Sequence, residues 1–286
     1  MKTVAIIGPN GQLGTDLVKT FSARGWEVIP LTHSDIEVTD IDSVAKALKQ
    51  IKFNWIINTA AFHKVDECEK DSEKAWLVNA KGQLNVTTIA NELSSKSVYL
   101  SSDYVFNGIK EIPYTVNDAV SPINAYGHSK AGGEFATLSS NSGNIVMRIS
   151  SVFGTAGSSE KGGNFIETIL NKTRSGEELK VVSDIQMSPT YTVHAARLLE
   201  KALNHDYSGL LHGSNSGIAS WFDFAKKAIE VAGLKAKISR TETDWSNPLK
   251  RPRFSALDTT QSANSFGEIE NWETAVAQYL AEKGYA

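Results

Sequence analysis

The first 21 residues constrain the fold most, because they combine a buried strand, a glycine-rich turn and an amphipathic helix. The run Thr3–Ile7 is apolar and partly β-branched, as expected of a strand covered on both faces. Gly8, Gly11 and Gly14 follow at three-residue spacing, and apolar residues then recur with a helical period. This order is typical of a dinucleotide-binding unit, in which glycines let the backbone approach a pyrophosphate at the helix N-terminus. The alternative is a plain glycine-rich turn, but the flanking strand and helix favour cofactor binding.

Strand and helix signals alternate along the rest of the first half of the chain. Buried strands are predicted at Glu27–Leu31, Trp55–Asn58, Ser97–Leu100 and Asn144–Ile149. Helices are predicted near Asp40–Gln50, Ser72–Leu93 and Ala125–Leu138. The alternation predicts an α/β fold with a doubly wound parallel sheet of the Rossmann type, which binds ligands at the carboxyl ends of its strands.

The pattern is less regular after about residue 150. A polar loop is expected at Gly154–Gly163, short strands at Leu179–Val182 and Leu210–His212, and helices at Val193–Asn204 and Trp221–Val231. We therefore assign residues 1–150 to a dinucleotide-binding Rossmann domain. Residues 151–286 are assigned mainly to a smaller C-terminal substrate-binding lobe, interleaved with the last strands of the sheet.

Composition excludes several other classes of protein. A formal net charge of −3, with charges of mixed sign, indicates no nucleic-acid partner. Cys68 is the only cysteine, so no intramolecular disulfide can form, and this fits a reducing compartment. We expect a cytoplasmic protein, because no signal peptide and no membrane-spanning run is recognisable. The six histidines show no metal-binding spacing, so no metal site is predicted.

Tyr126 and Lys130 are the strongest candidates for chemistry. Residues four apart lie on one face of a helix. A free tyrosine has a pKa near ~10, and a neighbouring ammonium group is expected to lower it, which would give a proton donor and acceptor near neutral pH. The pair alone is a weak signal, since this spacing often marks a solvated helix face.

A hydroxyl-rich segment strengthens this assignment. Ser101 and Ser102 follow the apolar run Val98–Leu100, so their hydroxyls are predicted at the carboxyl end of a strand, where one could orient a substrate carbonyl. For a single serine, simple turn chemistry would be the better interpretation. Together with Tyr126 and Lys130, Ser102 becomes the third member of a catalytic set.

The glycine spacing and this set resemble the extended short-chain dehydrogenase/reductase family. Further fragments narrow the resemblance to dTDP-4-dehydrorhamnose reductase-like, sugar-nucleotide-binding proteins, over Val4 to about Asp258. The fragments occur in this order: Asn58–Asp66, Ser101–Phe106, Tyr126–Lys130 with Gly133 and Glu134, Gly163–Phe165, Ser188–Thr190, Ser220–Asp223 and Arg251–Asp258.

The resemblance implies reduction of the 4-keto group of a nucleoside-diphosphate 6-deoxyhexose by NADPH or NADH. Catalysis would be carried by Ser102 on the carbonyl oxygen, Tyr126 as proton donor and Lys130 on the nicotinamide ribose. The implied cofactor-binding residues are Gly8, Asn10, Gly11, Gln12, Leu13, Gly14, Thr32, His33, Ala60, Ala61, Asn79, Tyr126 and Lys130. The implied substrate-binding residues are Val65, Asp103, Ser151, Asn164 and Arg251. For Asn164 the alternative is local turn bonding, and for Arg251, in the basic run Lys250–Arg253, it is a solvated loop.

Departures from the family pattern bear on the substrate. Ser151 stands where the reductases usually carry a tryptophan that lines the sugar pocket, so the pocket is expected to be larger or wetter. The loop Asp184–Thr190 is also altered, with Met187 in it. Related dehydratases place an Asp-Glu pair after the catalytic hydroxyl residue, whereas Asp103 is followed by Tyr104 here, which argues against dehydration.

Alternatives remain open for the identity of the cofactor and for the class of protein. No acid directly follows the second strand, where Thr32, His33 and Ser34 precede Asp35, and no arginine is present there. This favours NADPH weakly, while a surface histidine is the better interpretation of His33 than a phosphate ligand. The competing classes are a regulatory subunit like that of methionine adenosyltransferase, which binds cofactor without catalysis, and a sugar-nucleotide epimerase. The family includes both monomers and dimers.

Overall fold

A parallel sheet of six strands forms the centre of the computed structural model, which describes residues 2–157 and 163–285. The strands of this sheet are β1 (Thr3–Ile7), β2 (Glu27–Leu31), β3 (Trp55–Asn58), β4 (Lys96–Ser102), β5 (Ile145–Ile149) and β10 (Gly209–His212). Their order in the sheet is β10-β5-β4-β3-β1-β2, and every neighbouring pair is parallel.

Helices cover both faces of this sheet, as a doubly wound fold requires. Val4 and Ile6 of β1 face one core, shared with the first and eighth helices, and Ala5 and Ile7 face the other, shared with the second and fifth. Both sets are buried because alternate residues of a strand point to opposite faces. The helices are α1 (Gln12–Ala23), α2 (Ile41–Leu48), α3 (Val65–Lys70), α4 (Ser72–Trp76), α5 (Gly82–Glu92), α6 (Ala125–Ser140), α7 (Phe165–Arg174), α8 (Thr192–Asn204), α9 (Trp221–Val231), α10 (Thr260–Phe266) and α11 (Trp272–Glu282).

The predicted strands are confirmed, and β1, β2 and β3 have the predicted bounds, whereas β4 is longer than predicted. The fold class is confirmed with them. The chain reverses its direction of winding between β1 and β3, which places a crevice at the carboxyl ends of these two strands.

One predicted helix is interrupted. The span Ser72–Leu93 was expected to be continuous, but α4 and α5 are separated by a π-helical turn at Leu77–Lys81. Asn79 lies in this turn, and its side chain donates to the Phe62 carbonyl at 2.8 Å and accepts from the Phe62 amide at 2.9 Å. This contact with another segment offers a physical reason for the wider turn.

A second hydrophobic core lies in the C-terminal part, among α7, α9 and α11. Its short strands are β6 (Val152–Phe153), β7 (Leu179–Val182), β8 (Gln186–Met187), β9 (Thr190–Tyr191), β11 (Ala219–Ser220) and β12 (Ile238–Thr241), which form three two-stranded pairs. However, β10 belongs to the main sheet, and α8 packs on α1. The division at residue 150 stays a prediction, and part of the predicted loop Gly154–Gly163 lies outside the described residues.

The described ranges contain no helix that is long and apolar enough to cross a membrane. They also contain no group of three or more metal-ligating side chains that could hold a metal ion. Cys68 is buried and its thiol contacts the Phe62 carbonyl at 3.3 Å.

Candidate active site

The turn after β1 has the backbone geometry that a phosphate site needs. Gly8 has a φ of +76°, a conformation that favours glycine. A Cβ on Gly14 would lie 2.1 Å from the Gly8 carbonyl oxygen, so only glycine allows this close packing. Gly11 is the N-cap of α1, and no side chain caps the helix. The first amides of α1 are therefore left for an anion, and this fits a dinucleotide pyrophosphate.

The other residues predicted in this turn take different positions. Asn10 is exposed, whereas the Leu13 side chain is buried in the core, so Leu13 can offer only backbone groups. The Gln12 side chain donates to the Val152 carbonyl at 3.1 Å and accepts from the Gly154 amide at 3.1 Å. Gln12 thus connects the glycine turn to a segment about half the chain away.

The loop after β2 carries the acid Asp35, four residues beyond the last residue of the strand. The Asp35 carboxylate folds back and accepts from the Thr32 amide at 2.8 Å and from the Thr32 hydroxyl at 2.6 Å. These hydrogen bonds lower the pKa of Asp35, so the carboxylate is anionic at neutral pH. His33 is exposed, with Nδ1 3.6 Å from Glu37, as expected of a surface histidine.

The end of β3 faces the glycine turn. The Thr59 hydroxyl lies 2.7 Å from the Ile7 carbonyl and 3.1 Å from the Gly8 carbonyl, which ties the two strand ends together. Ala60 and Ala61 follow, and both remain partly exposed. The Ala60 amide donates to the Asn58 side chain at 3.0 Å. Small side chains therefore line this side of the crevice.

Ser102 and Tyr126 meet at the same edge of the sheet. Ser102 ends β4, and its hydroxyl lies near enough to the Tyr126 phenol to lower the pKa of that phenol. The same hydroxyl donates to the Asp103 carboxylate at 2.9 Å. Tyr126 lies in the first turn of α6, whose N-cap Asn124 accepts from the Gly127 amide at 2.8 Å. The Tyr104 ring packs edge-on against the Tyr126 ring, with centroids 5.8 Å apart.

The expected acidification of Tyr126 is wrong for the protein as the structure shows it. Burial raises the pKa of Tyr126 above its ordinary value, and the Ser102 hydroxyl offsets this only in part. Burial also lowers the pKa of Lys130 to about 7, so the lysine loses its proton well before the tyrosine titrates. At the high pH where Tyr126 would titrate, Lys130 has therefore already lost its positive charge and cannot lower the tyrosine pKa. Tyr126 keeps its proton at neutral pH, which is the form that a proton donor needs.

Lys130 is held by an aromatic ring. Its side chain is 3% exposed, and its ammonium nitrogen lies 4.2 Å from the centroid of the Tyr99 ring. The Tyr99 hydroxyl in turn donates to the Asn79 main-chain carbonyl at 2.8 Å. A cation over an aromatic face is stabilised more strongly where water is excluded. Asn79 is thus linked to Lys130 through Tyr99.

Two of the predicted substrate residues have their polar groups bound within the fold. The Asp103 carboxylate accepts from the hydroxyls of Ser102, Ser150 and Ser255, the last two at 2.7 and 2.6 Å. Burial raises the pKa of Asp103 against the effect of these hydrogen bonds.

The Asn164 side chain caps the N-terminus of α7 and donates to the Gly154 carbonyl at 3.2 Å, and the residue is 8% exposed. Local bonding therefore describes Asn164 as it is placed, and its contact with a nucleotide stays a prediction.

The other three predicted substrate residues are more accessible. Val65 begins α3 and is partly exposed, and Ser151 follows β5 in the left-handed region with a φ of +46°. Arg251 contacts the Asp66 carboxylate at 3.1 Å through Nη2, and its side chain is 38% exposed. Arg251 thereby connects the C-terminal part to the start of α3.

A buried ion pair beneath Lys130 was missed by sequence reasoning. Arg148 donates to both carboxylate oxygens of Glu134 at 2.7 Å, and Ser101 donates to the same carboxylate at 2.6 Å. A signal was present, because Tyr126, Lys130 and Glu134 follow one another at four-residue spacing and so share a helix face. The partner on β5 could not be inferred, since it depends on strand pairing.

The parallel sheet and its glycine turn define an α/β protein of the Rossmann class. More narrowly, the chain belongs to the family whose model is described as the RmlD substrate binding domain, which matches residues 1–284. The predicted resemblance is thereby confirmed.

Individual relatives extend over the whole chain. The chain is 36% identical to the spore coat polysaccharide biosynthesis protein SpsK of Bacillus subtilis (strain 168), with 100% of this chain and 99% of that protein covered. It is 33% identical to the dTDP-4-dehydrorhamnose reductase of Aggregatibacter actinomycetemcomitans, with 98% and 99% covered. The crystal structure of dTDP-4-dehydrorhamnose reductase from Bacillus anthracis str. Ames in complex with NADP superposes with a TM-score of 0.92 at 32% identity, covering 99% of this chain and 100% of that chain.

Proposed function

We propose that this protein is an NAD(P)H-dependent oxidoreductase that reduces the 4-keto group of a nucleoside-diphosphate 6-deoxyhexose. The observation that carries the proposal is the position of Ser102, Tyr126 and Lys130 at one edge of the sheet. The uncapped glycine turn after β1 opens at that same edge. Relatives at 33% and 32% identity, named as reductases of this kind, support the proposal.

Each member of the set has a distinct task. The Ser102 hydroxyl holds the substrate carbonyl oxygen, and the Tyr126 phenol gives its proton to the oxygen as negative charge develops there. Lys130 binds the nicotinamide ribose from beneath, where the Tyr99 ring holds its side chain. A bound reduced nicotinamide would supply the hydride.

The cofactor is assigned to the crevice between β1 and β3. The amides of Gln12 and Leu13 at the start of α1 would hold the pyrophosphate, and Ala60 and Ala61 would lie along the dinucleotide. The structure in complex with NADP supports NADPH as one cofactor. Asp35 at the end of β2 favours NADH instead, because its carboxylate repels a ribose phosphate and can accept from ribose hydroxyls. We therefore propose that both are accepted.

The substrate is assigned to the side of Tyr126 that faces the C-terminal part. Val65 and Ser151 would line the sugar pocket, and Arg251 would bind the diphosphate. Asn164 would contribute to the nucleotide side, and Asp103 would act by orienting Ser102. Since Ser151 is small, a sugar different from the rhamnose precursor fits this pocket.

All of these residues come from one chain, which is compatible with a monomer and with a homodimer, the two states that we propose. We also propose a cytoplasmic location, because a buried free cysteine such as Cys68 fits a reducing compartment.

The decisive experiment follows the loss of nicotinamide absorbance with a panel of 4-keto-6-deoxy nucleotide sugars, using NADPH and NADH in turn. Tyr126→Phe is expected to lower turnover by at least about 10²-fold while it keeps cofactor affinity, because only the proton donor is removed. Tyr207→Phe is the matched control, since Tyr207 donates to the Leu210 carbonyl on the far strand β10 and should keep full activity.

The alternatives give different results in the same assay. Cofactor binding without turnover on any sugar would indicate a regulatory subunit. Sugar interconversion without net use of reduced nicotinamide would indicate an epimerase. Normal turnover by Tyr126→Phe would refute the proton-donor role.

A further inference from the structure

The environment of Lys130 contains a carboxylate that the lysine does not use. Glu134 lies one helical turn after Lys130, the spacing at which a lysine and a glutamate ordinarily form a pair. Yet among the described residues no carboxylate oxygen lies within 4.0 Å of the Lys130 ammonium. Both oxygens of Glu134 are instead bound by Arg148 at 2.7 Å, from the neighbouring strand β5.

This arrangement is buried on all sides. Exposure is 3% for Lys130, 5% for Glu134, 2% for Arg148 and 0% for Tyr99. In such surroundings a carboxylate interacts strongly with whichever cation reaches it, and little water is available to compete. A bidentate arginine has the better geometry for a carboxylate than a lysine ammonium has.

We propose that Arg148 is a positioning residue for the proposed reaction: by binding Glu134 on both oxygens, it keeps Glu134 from capturing Lys130. The Lys130 ammonium then rests on the Tyr99 ring and stays available to the nicotinamide ribose. Tyr99 belongs to the same device, because an aromatic ring attracts the ammonium without neutralising it.

The charged and titratable groups around these side chains are consistent with this role. Lys130 faces Glu134 on its own helix, Tyr99 on β4 and Cys68 on α3. Burial raises the pKa of Cys68 to about 11, so the thiol is neutral. On the other side, burial and then Arg148 lower the pKa of His212 to about 4, so that this histidine adds no charge beside Arg148.

The proposal predicts the direction of a shift in the Lys130 pKa. Burial lowers this pKa to about 7 in the protein as it stands. If Arg148 is replaced by methionine, the unpaired Glu134 carboxylate is expected to pair with Lys130 and to raise its pKa by about one unit or more. The ammonium would then persist at higher pH, but it would point along the helix towards Glu134 and away from Tyr126.

The test compares Arg148→Met with the double variant Arg148→Met/Glu134→Gln. NADPH affinity is measured from pH 6 to 10 by tryptophan fluorescence, and turnover is measured beside it. In Arg148→Met we expect NADPH affinity to fall about tenfold at neutral pH and the pH at which binding is lost to move upward. In the double variant both should return towards wild type, because no carboxylate remains to capture the lysine.

The outcomes separate this proposal from the proposed function, on which it rests. A purely structural role of Arg148 predicts no recovery in the double variant, and that result overturns the proposal. If Arg148→Met does not fold, Arg148→Lys takes its place, since it keeps the charge and loses the bidentate geometry. In that variant, wild-type NADPH affinity together with an unchanged pH dependence would also overturn the proposal. Absence of turnover in every variant, with the predicted binding shifts present, would contradict the reductase function alone.

Discussion

Two arginine–carboxylate pairs, one buried and one exposed, involve residues of the candidate active site or its neighbours, and they differ in geometry and in exposure. The pair of Arg148 and Glu134 is bidentate at 2.7 Å, with side chains 2% and 6% exposed. The pair of Arg251 and Asp66 has one contact at 3.1 Å, with side chains 38% and 68% exposed. The first is fixed within the sheet and helix α6. The second is exposed at the position that we propose for the substrate diphosphate, and water can replace it at little cost.

The difference indicates how charge is distributed in this protein. The buried charges of Arg148 and Glu134 are held in a fixed bidentate geometry, so they set the environment of Lys130. Charges at the mouth of the crevice are paired weakly, so a ligand can take them over.

The largest expected effect is loss of stability when the interior pair is broken. Glu134→Gln leaves the Arg148 charge buried without a compensating carboxylate, and this should lower the free energy of unfolding by about 3 to 5 kcal/mol. Urea denaturation measures it, and Glu270→Gln is a control at an exposed acid. A loss below about 1 kcal/mol would mean that the interior pair behaves like a surface pair.

Lys130 should make stability depend on pH in a definite direction. Burial lowers the pKa of Lys130 from 10.5 to about 7, so between these values the unfolded chain binds a proton that the folded chain does not. The lysine therefore costs most stability below pH 7, and this cost disappears as the pH approaches 10.5. The difference in unfolding free energy between wild type and Lys130→Met should shrink over this window. A constant difference would show that Lys130 titrates normally.

At the mouth of the crevice we expect an effect on binding and not on stability. Arg251→Gln should raise the KM for the nucleotide sugar roughly tenfold to a hundredfold, because a charge-assisted contact to the diphosphate is lost. Unfolding free energy should change by less than about 0.5 kcal/mol. Asp66→Asn is the matched variant, since it frees Arg251 and should leave the KM unchanged or lower it. Equal increases in both variants would show that the pair itself is needed.

The smallest effect concerns cofactor preference. Asp35→Ser removes the carboxylate that Thr32 holds at the end of β2, and it should raise the ratio of NADPH to NADH affinity about fivefold, as expected for a partly screened surface charge. Titration with each cofactor measures the ratio. Asp42→Asn is the control for loss of a nearby acid. Asp40 is unsuitable for this purpose because its side chain caps α2. An unchanged ratio would place the ribose away from Asp35.

Local sequence patterns predicted the elements of this fold better than they predicted the site. The run Thr3–Ile7 and the glycine turn can be recognised from the sequence, because burial on both faces and a positive φ at Gly8 restrict which residues can occur there. Tyr126 and Lys130 were recognisable because their spacing lies within one helix. The protonation states of Tyr126 and Lys130 could not be predicted from the sequence, because burial outweighs the effect of neighbouring charges on both pKa values.

Contacts between distant segments account for what the sequence could not show. Asp35 follows β2 by four residues and yet returns to Thr32, and Arg251 meets Asp66 across 185 positions. The π-helical turn at Leu77–Lys81 accompanies contacts between Asn79 and Phe62, 17 residues away. Such pairings depend on where the sheet brings loops together, and no local pattern records that.

Gln12 gives the two halves of the reaction a common support. Its single side-chain amide binds the backbone of Val152 and Gly154, directly after Ser151, while its own main chain begins the helix proposed to receive the pyrophosphate. A displacement of the glycine turn would therefore act through this amide on the segment that carries Ser151. The proposed dinucleotide site and the proposed sugar pocket thus share one side chain as a mechanical link.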